Sequence, residues 1–508
     1  MLLRDFSGGL KTRVHPTLIQ PTESQVYQNC DNEAGILRPI KLPSSEVIPT
    51  KKYFEYFNAG RVIVDSDDET YFVEYRETMY YVSSTEFKKM NKVGLVSNVG
   101  IEQPTLAPSV SDNGVGNLKG IYKYLYTYYN EDDGSESRPS PLSTELDITD
   151  KSVAVSGIIP SADAQVTHIR LYRLGGTLTK YNLVEELAPT ANSFIDNKTD
   201  SEIAGEHILD TFNTNSPLQG MEYLTVANAM LFAGLNDKLY FSEVGKPSSW
   251  SRTNYLDFED RITGIGAVQH GLLVFTKYAT YIVTGNSPDT FSKYLLSDEQ
   301  GCVNHDTIDY TKNNLIWLST DGVCMSNGGD IKIVSQARLG KMDVLSLNAR
   351  VYDRAYYLAW EDGTYVFDLR YSNLCVRTLD TSGRLVIAED RLYYRQYELD
   401  ATGLQEMLVG NPSLMYYRSP VFTEGRFSEL KEFKDFYLSY KGQIQIKVYL
   451  YTAKGIVKIL DKHLPIERTQ FDAKSLGGRQ GYGMSLSIIG TGEVHEIDFR
   501  AIGRENGK

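Results

Sequence analysis

Tryptophan and cysteine are scarce in this chain, with 3 Trp and 4 Cys among 508 residues. Cys30, Cys302, Cys324 and Cys375 stand far apart with no CxxC pair, so the spacing supports buried free thiols rather than a disulfide framework or a metal site. Cys302 and His305 have a ligand-like separation and Cys324 is nearby, but no fourth ligand completes a zinc set. No run approaches the ~18 apolar residues of a membrane span. The first residues, Met1-Leu-Leu-Arg-Asp-Phe6, lack the charged and apolar regions of a signal peptide, so the expectation is a chain made and folded in a cytoplasm. GxSxG, HExxH, Walker-type phosphate loops and a GxGxxG in a strand-to-helix setting are all missing. No catalytic, cofactor-binding or metal-ligating residue is therefore assigned, and no cofactor is expected.

Tyrosine is plentiful: 36 Tyr against 19 Phe. Its apolar body and polar tip suit half-buried strand faces and contact surfaces. The formal charge is −13, from 52 Lys and Arg against 65 Asp and Glu. Such a surface is a poor general binder of nucleic acid. The balance is uneven, because residues 426–508 hold 14 basic and 10 acidic residues and the rest of the chain carries −17. The C-terminal end is the basic end.

From Met221 to Ser335 the chain reads as strand, turn, strand, turn. Leu231-Phe-Ala-Gly234, Leu239-Tyr-Phe-Ser242, Leu272-Leu-Val-Phe275, Thr280-Tyr-Ile-Val283, Leu315-Ile-Trp-Leu318 and Ile331-Lys-Ile-Val334 are short apolar or alternating runs. Gly285-Asn-Ser-Pro288, Asp321-Gly322 and Asn327-Gly-Gly-Asp330 supply the residues that hairpin turns require. Closely spaced strands without helical crossovers predict antiparallel sheets built locally, as in a sandwich or a propeller. Ala355-Tyr-Tyr-Leu-Ala-Trp360, Thr364-Tyr-Val-Phe-Asp368, Leu374-Cys-Val-Arg377 and Leu392-Tyr-Tyr394 continue the pattern. Five or six blades are expected.

Upstream, Arg61-Val-Ile-Val64, Tyr71-Phe-Val-Glu-Tyr75 and Met79-Tyr-Tyr-Val82 read as most of one blade. The acidic Asp65-Ser-Asp-Asp-Glu69 lies between the first two runs and lacks the spacing of a calcium loop, so it reads as a solvated hairpin tip. Residues 94–120 have linker composition. Tyr122, Tyr124, Tyr126 and Tyr128 then alternate as one face of a strand, followed by the loop Asn130 to Pro141 and strand-like runs to Asp196. Carboxylates in that loop are expected to face solvent, and His168 at a strand start to be structural. From Pro420 a second module begins, in which Ile444, Ile446, Val448 and Leu450 face one way and Gln445, Lys447, Tyr449 and Tyr451 the other. The expected division is 1–50 N-terminal arm, 51–93 first blade, 94–220 linker and inserted sandwich, 221–410 remaining blades and 411–508 C-terminal sandwich.

Four stretches carry a resemblance to known families. Asp5-Phe-Ser-Gly-Gly-Leu-Lys-Thr-Arg13, followed by Asn29 and by Gly35-Ile-Leu-Arg-Pro39, resembles the start of tail proteins of short-tailed bacteriophages, with Lys11 where that pattern has Asn. Leu239-Tyr-Phe-Ser-Glu243 with Lys246-Pro-Ser-Ser-Trp250, Ile262-Thr-Gly-Ile-Gly266, Leu273-Val-Phe-Thr-Lys277, Tyr281-Ile-Val-Thr-Gly285 and Leu318-Ser-Thr-Asp-Gly-Val323 resemble, in order, the propeller of the tail nozzle (tail tubular, packaged-DNA stabilisation) family. The Tyr122–Tyr128 strand and its Ser-rich loop resemble a fibronectin type III module, and the segments around Phe436 and His495 resemble that family's platform domain. The resemblance implies an all-β chain: a β-propeller with an inserted fibronectin-III-like β-sandwich and a C-terminal β-sandwich docking (platform) domain. It further implies a virion protein assembled in the host cytoplasm as a homo-oligomeric ring, typically a hexamer, below the portal adaptor. Tail fibres would be neighbours, and viral double-stranded DNA would pass through without sequence-specific contact.

The competing reading is a peripheral receptor-binding or glycan-degrading propeller. Glycan hydrolysis needs paired carboxylates or an arginine cluster on a carboxylate. Ser319-Thr-Asp-Gly322 begins like a sialidase Asp box but lacks its later Gly and Trp, so no motif supports an enzyme.

Overall fold

A computed structural model describes the chain except residues 1, 33–34, 343–345, 371–373, 397–402, 424–425, 466–469, 474–475, 477 and 504–508. Among the described residues the only α-helix is the single turn Asp200–Ile203. The architecture is all β: a propeller, a sandwich inserted into it and a second sandwich at the C-terminal end.

Among the described residues the propeller has six four-stranded antiparallel blades, five of them separate sheets and the remaining one, the fifth, part of a larger sheet. They begin with the strands Thr70–Tyr75, Glu222–Ala227, Ile262–Val268, Asp309–Tyr310, Ser346–Tyr352 and Gly383–Ala388. Blade packing follows from strands buried on both faces. Leu315 and Trp317 pack with Phe275 of the third blade, whereas the intervening Ile316 and Leu318 pack with Tyr356 and Leu358 of the fifth. That explains why these runs are continuously apolar rather than alternating.

The ring closes through a sector that the sequence did not separate. Tyr53–Phe57 and Val62–Ser66 form their own two-stranded hairpin between the sixth and first blades. Phe54 packs on Val386 and Leu404 of the sixth blade, and Phe57 and Val64 pack on Met79 of the first. The run ending at Val64 therefore does not share a sheet with Tyr71–Tyr75, and the first blade takes its fourth strand from Val96–Asn98. The outer strand of the sixth blade is Ile48–Pro49, paired antiparallel with Gly403–Glu406.

The inserted module is built on the 21-residue strand Ser109–Tyr129. Its first part pairs with Leu146–Ser156 and its second part with His168–Gly175, and both close on a core containing Tyr122, Tyr124, Tyr126 and Tyr128. Leu146–Ser156 is one continuous strand. The Ser-rich loop is ordered with period three: Ser137, Ser140 and Ser143 give their backbone N–H to Tyr128, Tyr126 and Tyr124, and their hydroxyls accept the N–H of the same tyrosines. Flanked by Pro139 and Pro141, this is polyproline-type spacing, with serine oxygens replacing the carbonyls of a missing strand.

The first fifty residues are woven into the rest rather than extending as an arm. Leu2–Leu3 adds to the sheet of Lys431–Lys441 and Glu493–Gly503. Val26–Gln28 lies between Cys375–Leu379 of the fifth blade and Met415–Arg418, so that this blade and one layer of the C-terminal sandwich form a continuous nine-stranded sheet. Gly8 and Gly9 make this weave possible: a Cβ on Gly8 would lie 2.6 Å from the backbone of Thr22, and one on Gly9 2.6 Å from the Val376 carbonyl. The sandwich core holds Ile444, Ile446, Val448 and Leu450 against Phe436, Leu438, Ile497 and Phe499.

Candidate functional site

The innermost strands converge on the propeller axis, where a cavity of about 340 Å³ is lined by Glu55, Tyr71, His305, Asp306, Arg350 and Arg384, among others. Glu55 comes from the hairpin, His305 and Asp306 from the 3-10 turn His305–Thr307, and Arg350 and Arg384 from the first strands of the fifth and sixth blades.

Each charge here already has a partner. Arg350 donates to Glu55 Oε2 at 2.7 Å and to the Ala349 carbonyl at 2.8 Å. Arg384 donates to Asp306 Oδ2 at 2.8 Å and lies over the Tyr53 ring at 4.9 Å. Asp309 accepts the Val351 N–H at 2.6 Å and the Tyr310 N–H at 2.7 Å. These contacts tie the hairpin to the fifth blade and the fourth-blade entrance to the fifth and sixth. Burial pushes the Asp309 carboxyl up, with Arg350 acting against it. For Asp306 burial works in the same upward direction, but Arg384, His305 and Arg350 outweigh it and hold the carboxyl below its ordinary value.

His305 sits edge-on to Tyr71, with ring centroids 5.4 Å apart, and against Tyr223 at 5.0 Å. Its Nδ1 lies 3.4 Å from the Ile265 N–H and accepts it, which places the imidazole proton on Nε2. Burial drives its pKa down to about 4, opposed by Asp306 and assisted by Arg350 and Arg384, so the ring is neutral near pH 7. Chemically the axis is a network of ion pairs in which every carboxylate is engaged, while Arg384 Nε is buried without a hydrogen-bond partner among the described residues. At about 340 Å³ this cavity is too small to hold a nucleic-acid strand.

The other residues singled out by sequence fall elsewhere. All four cysteines are free and buried. The Cys302 thiol donates to the Asn304 carbonyl at 3.2 Å, and burial raises its pKa to about 12. Among the described residues no group of three or more His, Cys, Asp or Glu could hold a metal ion. Asp65 is not a free tip, since it accepts Thr50 Oγ1 and the Lys51 N–H. Ser319 to Gly322 forms the turn between two strands of the fourth blade, with Asp321 paired to Lys341 at 3.1 Å. His168 meets Thr167 at 3.0 Å.

The carboxylates after Asn130 are not all solvent-facing. Glu136 is buried, accepting Thr127, Tyr172 and Arg170, because the serine strip turns this side of the loop inward. Asp133 pairs with the buried Lys89 of the first blade, which also reaches Ser248 of the loop in the second. The inserted sandwich is thereby pinned to the propeller. Sequence reading missed Glu55, Arg350 and Arg384, which belong to no motif. Their one signal is a lone charge within a strand whose neighbours are apolar or aromatic, Glu55 on the hairpin and Arg350 and Arg384 on the first strands of blades.

No family model matches the chain, and no curated protein matches it. Solved structures that resemble it include Kluyveromyces lactis Hsv2, at 10% identity and TM-score 0.29, covering 67% of this chain and 98% of that one. BBS1N in complex with ARL6DN gives 10% identity and TM-score 0.30, with 73% and 98% covered. The AfRom2 CNH domain gives 9% identity and TM-score 0.25, with 52% and 91% covered. The likeness is one of fold alone, and the propeller assignment stands on the chain's own sheets.

Proposed function

We propose that this protein is a structural component of the tail of a short-tailed bacteriophage, forming the nozzle as a homo-oligomeric ring below the portal adaptor. The observation that carries the reading is the ordered series of phrases from Leu239 to Gly329, together with the Gly8-Gly9 phrase at the start. Both now have a mechanical meaning: the first builds three successive blades, and the second lets the N-terminal segment cross the fifth blade.

Two further features support it. The accessible surface is 24230 Å², whereas a compact monomer of 57.2 kDa exposes about 18,700 Å². Three bodies on one chain leave surface for several neighbours of the standard size, about 800 Å² per partner. The charge of −17 outside residues 426–508 suits walls past which DNA slides, because like charge prevents adhesion. In this reading the genome passes between copies around the ring, the cavity on the propeller axis being too small to hold it.

The test is localisation of the chain on purified virions by electron cryo-microscopy. Density around the tail axis with rotational symmetry is expected. Labelling on peripheral appendages, or none on particles, refutes the proposal and favours a receptor-binding or glycan-degrading propeller.

A further inference from the structure

A larger cavity, about 910 Å³, opens off the axis between the fourth and fifth blades and the N-terminal segment. Besides Arg338, its cations come from four separate places. Lys11 follows the strand Gly9–Leu10, Lys312 sits in the turn after Asp309–Tyr310, Lys332 is on the outer strand Lys332–Ile333, and Arg354 is in the turn between the first two strands of the fifth blade. Lys312, Lys332 and Arg354 are exposed, and among the described residues none of the three makes an ion pair. The lining's one carboxylate, Glu23, is already held by Arg338, by Lys11 at 3.1 Å and by the Gln20 N–H at 2.9 Å.

A chain of net charge −13 thus gathers uncompensated positive charge around one concavity. Low-dielectric walls focus that field into the opening. The walls are apolar on one side, with Met325, Ile333, Val334 and Leu369, and Asn313 and Thr311 add amide and hydroxyl groups. Volume, apolar wall and convergent polar groups match small-molecule sites, which span about 300–1,000 Å³. Three unpaired cations exceed what one carboxylate needs.

We propose that this cavity binds a phosphorylated organic molecule of nucleotide size, its phosphates on Lys312, Lys332 and Arg354 and its body on the Met325 and Val334 wall. The inference is independent of the ring assembly. The test is isothermal titration of the full chain at low salt with metal-free ATP, inorganic triphosphate and poly-L-glutamate. Expected are one saturable ATP site and binding of triphosphate at least 10-fold weaker. The K312A/K332A/R354A variant should weaken ATP at least 10-fold, and M325D, which puts a carboxylate in the apolar wall with the cations intact, should weaken it as well. The equally charge-depleted K119A/K180A/K454A variant should bind as the unaltered protein does. The proposal is overturned by no saturable ATP binding, by triphosphate binding as tightly as ATP, by an equal loss in the control variant, or by poly-L-glutamate binding where ATP does not.

Discussion

Replacing Arg173 by Met should destabilise the inserted sandwich more than any surface change. The side chains of Arg173 and Asp196 are both fully buried and meet at 2.6 Å. Arg173 also donates to the Lys198 carbonyl at 2.8 Å and to Asp200 at 3.0 Å, while Tyr124 donates to Asp196 at 2.7 Å. Removing the guanidinium leaves a buried carboxylate with only the Tyr124 hydroxyl and the Lys198 N–H. Breaking a buried pair in this way costs about 3–5 kcal/mol, whereas replacing both partners by apolar residues is often neutral or stabilising. R173M and D196L should therefore each cost several kcal/mol, and R173M/D196L should cost less than either single variant. Urea unfolding of the full chain, with hydrogen exchange of the Tyr122–Tyr129 amides to isolate the sandwich transition, measures all three. A loss below about 1 kcal/mol for R173M, or single losses that simply add in the double variant, refutes the reasoning.

Acid should weaken the propeller through His305. In the fold its pKa is about 4 against an ordinary 6.5, so between these values the unfolded chain binds the proton and the folded one does not. Stability attributable to His305 is full above pH 6.5 and declines as pH falls towards 4, by about 2–3 kcal/mol after allowing for the ring's residual solvent contact. Comparing H305Q with the unaltered chain by denaturant titration at pH 7 and pH 4.5 should show a shallower pH dependence in the variant; equal slopes contradict the assignment. A third expectation concerns hairpin turns. Glu389 and Asp390 hold φ of 50° and 58° in the two-residue turn after Gly383–Ala388, the geometry that Asn-Gly adopts with least strain. E389N/D390G should raise unfolding free energy by about 1 kcal/mol, read as a shifted urea midpoint at unchanged slope.

The same turn recurs at Arg76-Glu77, Asn228-Ala229 and Asp353-Arg354. None of the four contains glycine, so their only turn residues are Asn228, Asp353 and Asp390, a weak signal by themselves. Their position was legible only from the β-runs on either side. Glycine-bearing turns such as Asp321-Gly322 were visible for the opposite reason. The cationic cavity and the axis cluster were illegible altogether, since Glu55 and Arg350 are 295 residues apart and meet only because the ring closes.

Strands with strong alternation or a continuous apolar run were decided by the sequence alone, whereas the stretch 109–120, of linker composition, is a strand only in the fold. Alternation at Tyr122–Tyr128 and Ile444–Leu450, and continuous apolar runs such as Leu315–Leu318, reflect the two-residue repeat of a pleated strand and whether one face or both are buried. Pairing over long distances was decided by the tertiary structure alone. Ile48–Pro49 completes the sixth blade, Val26–Gln28 joins the fifth blade to the terminal sandwich, and Tyr53–Ser66 stands as its own sector. A strand's residues specify which faces must be buried, but its free edge accepts any backbone. Which partner arrives there depends on the edges left open once every local hairpin has formed.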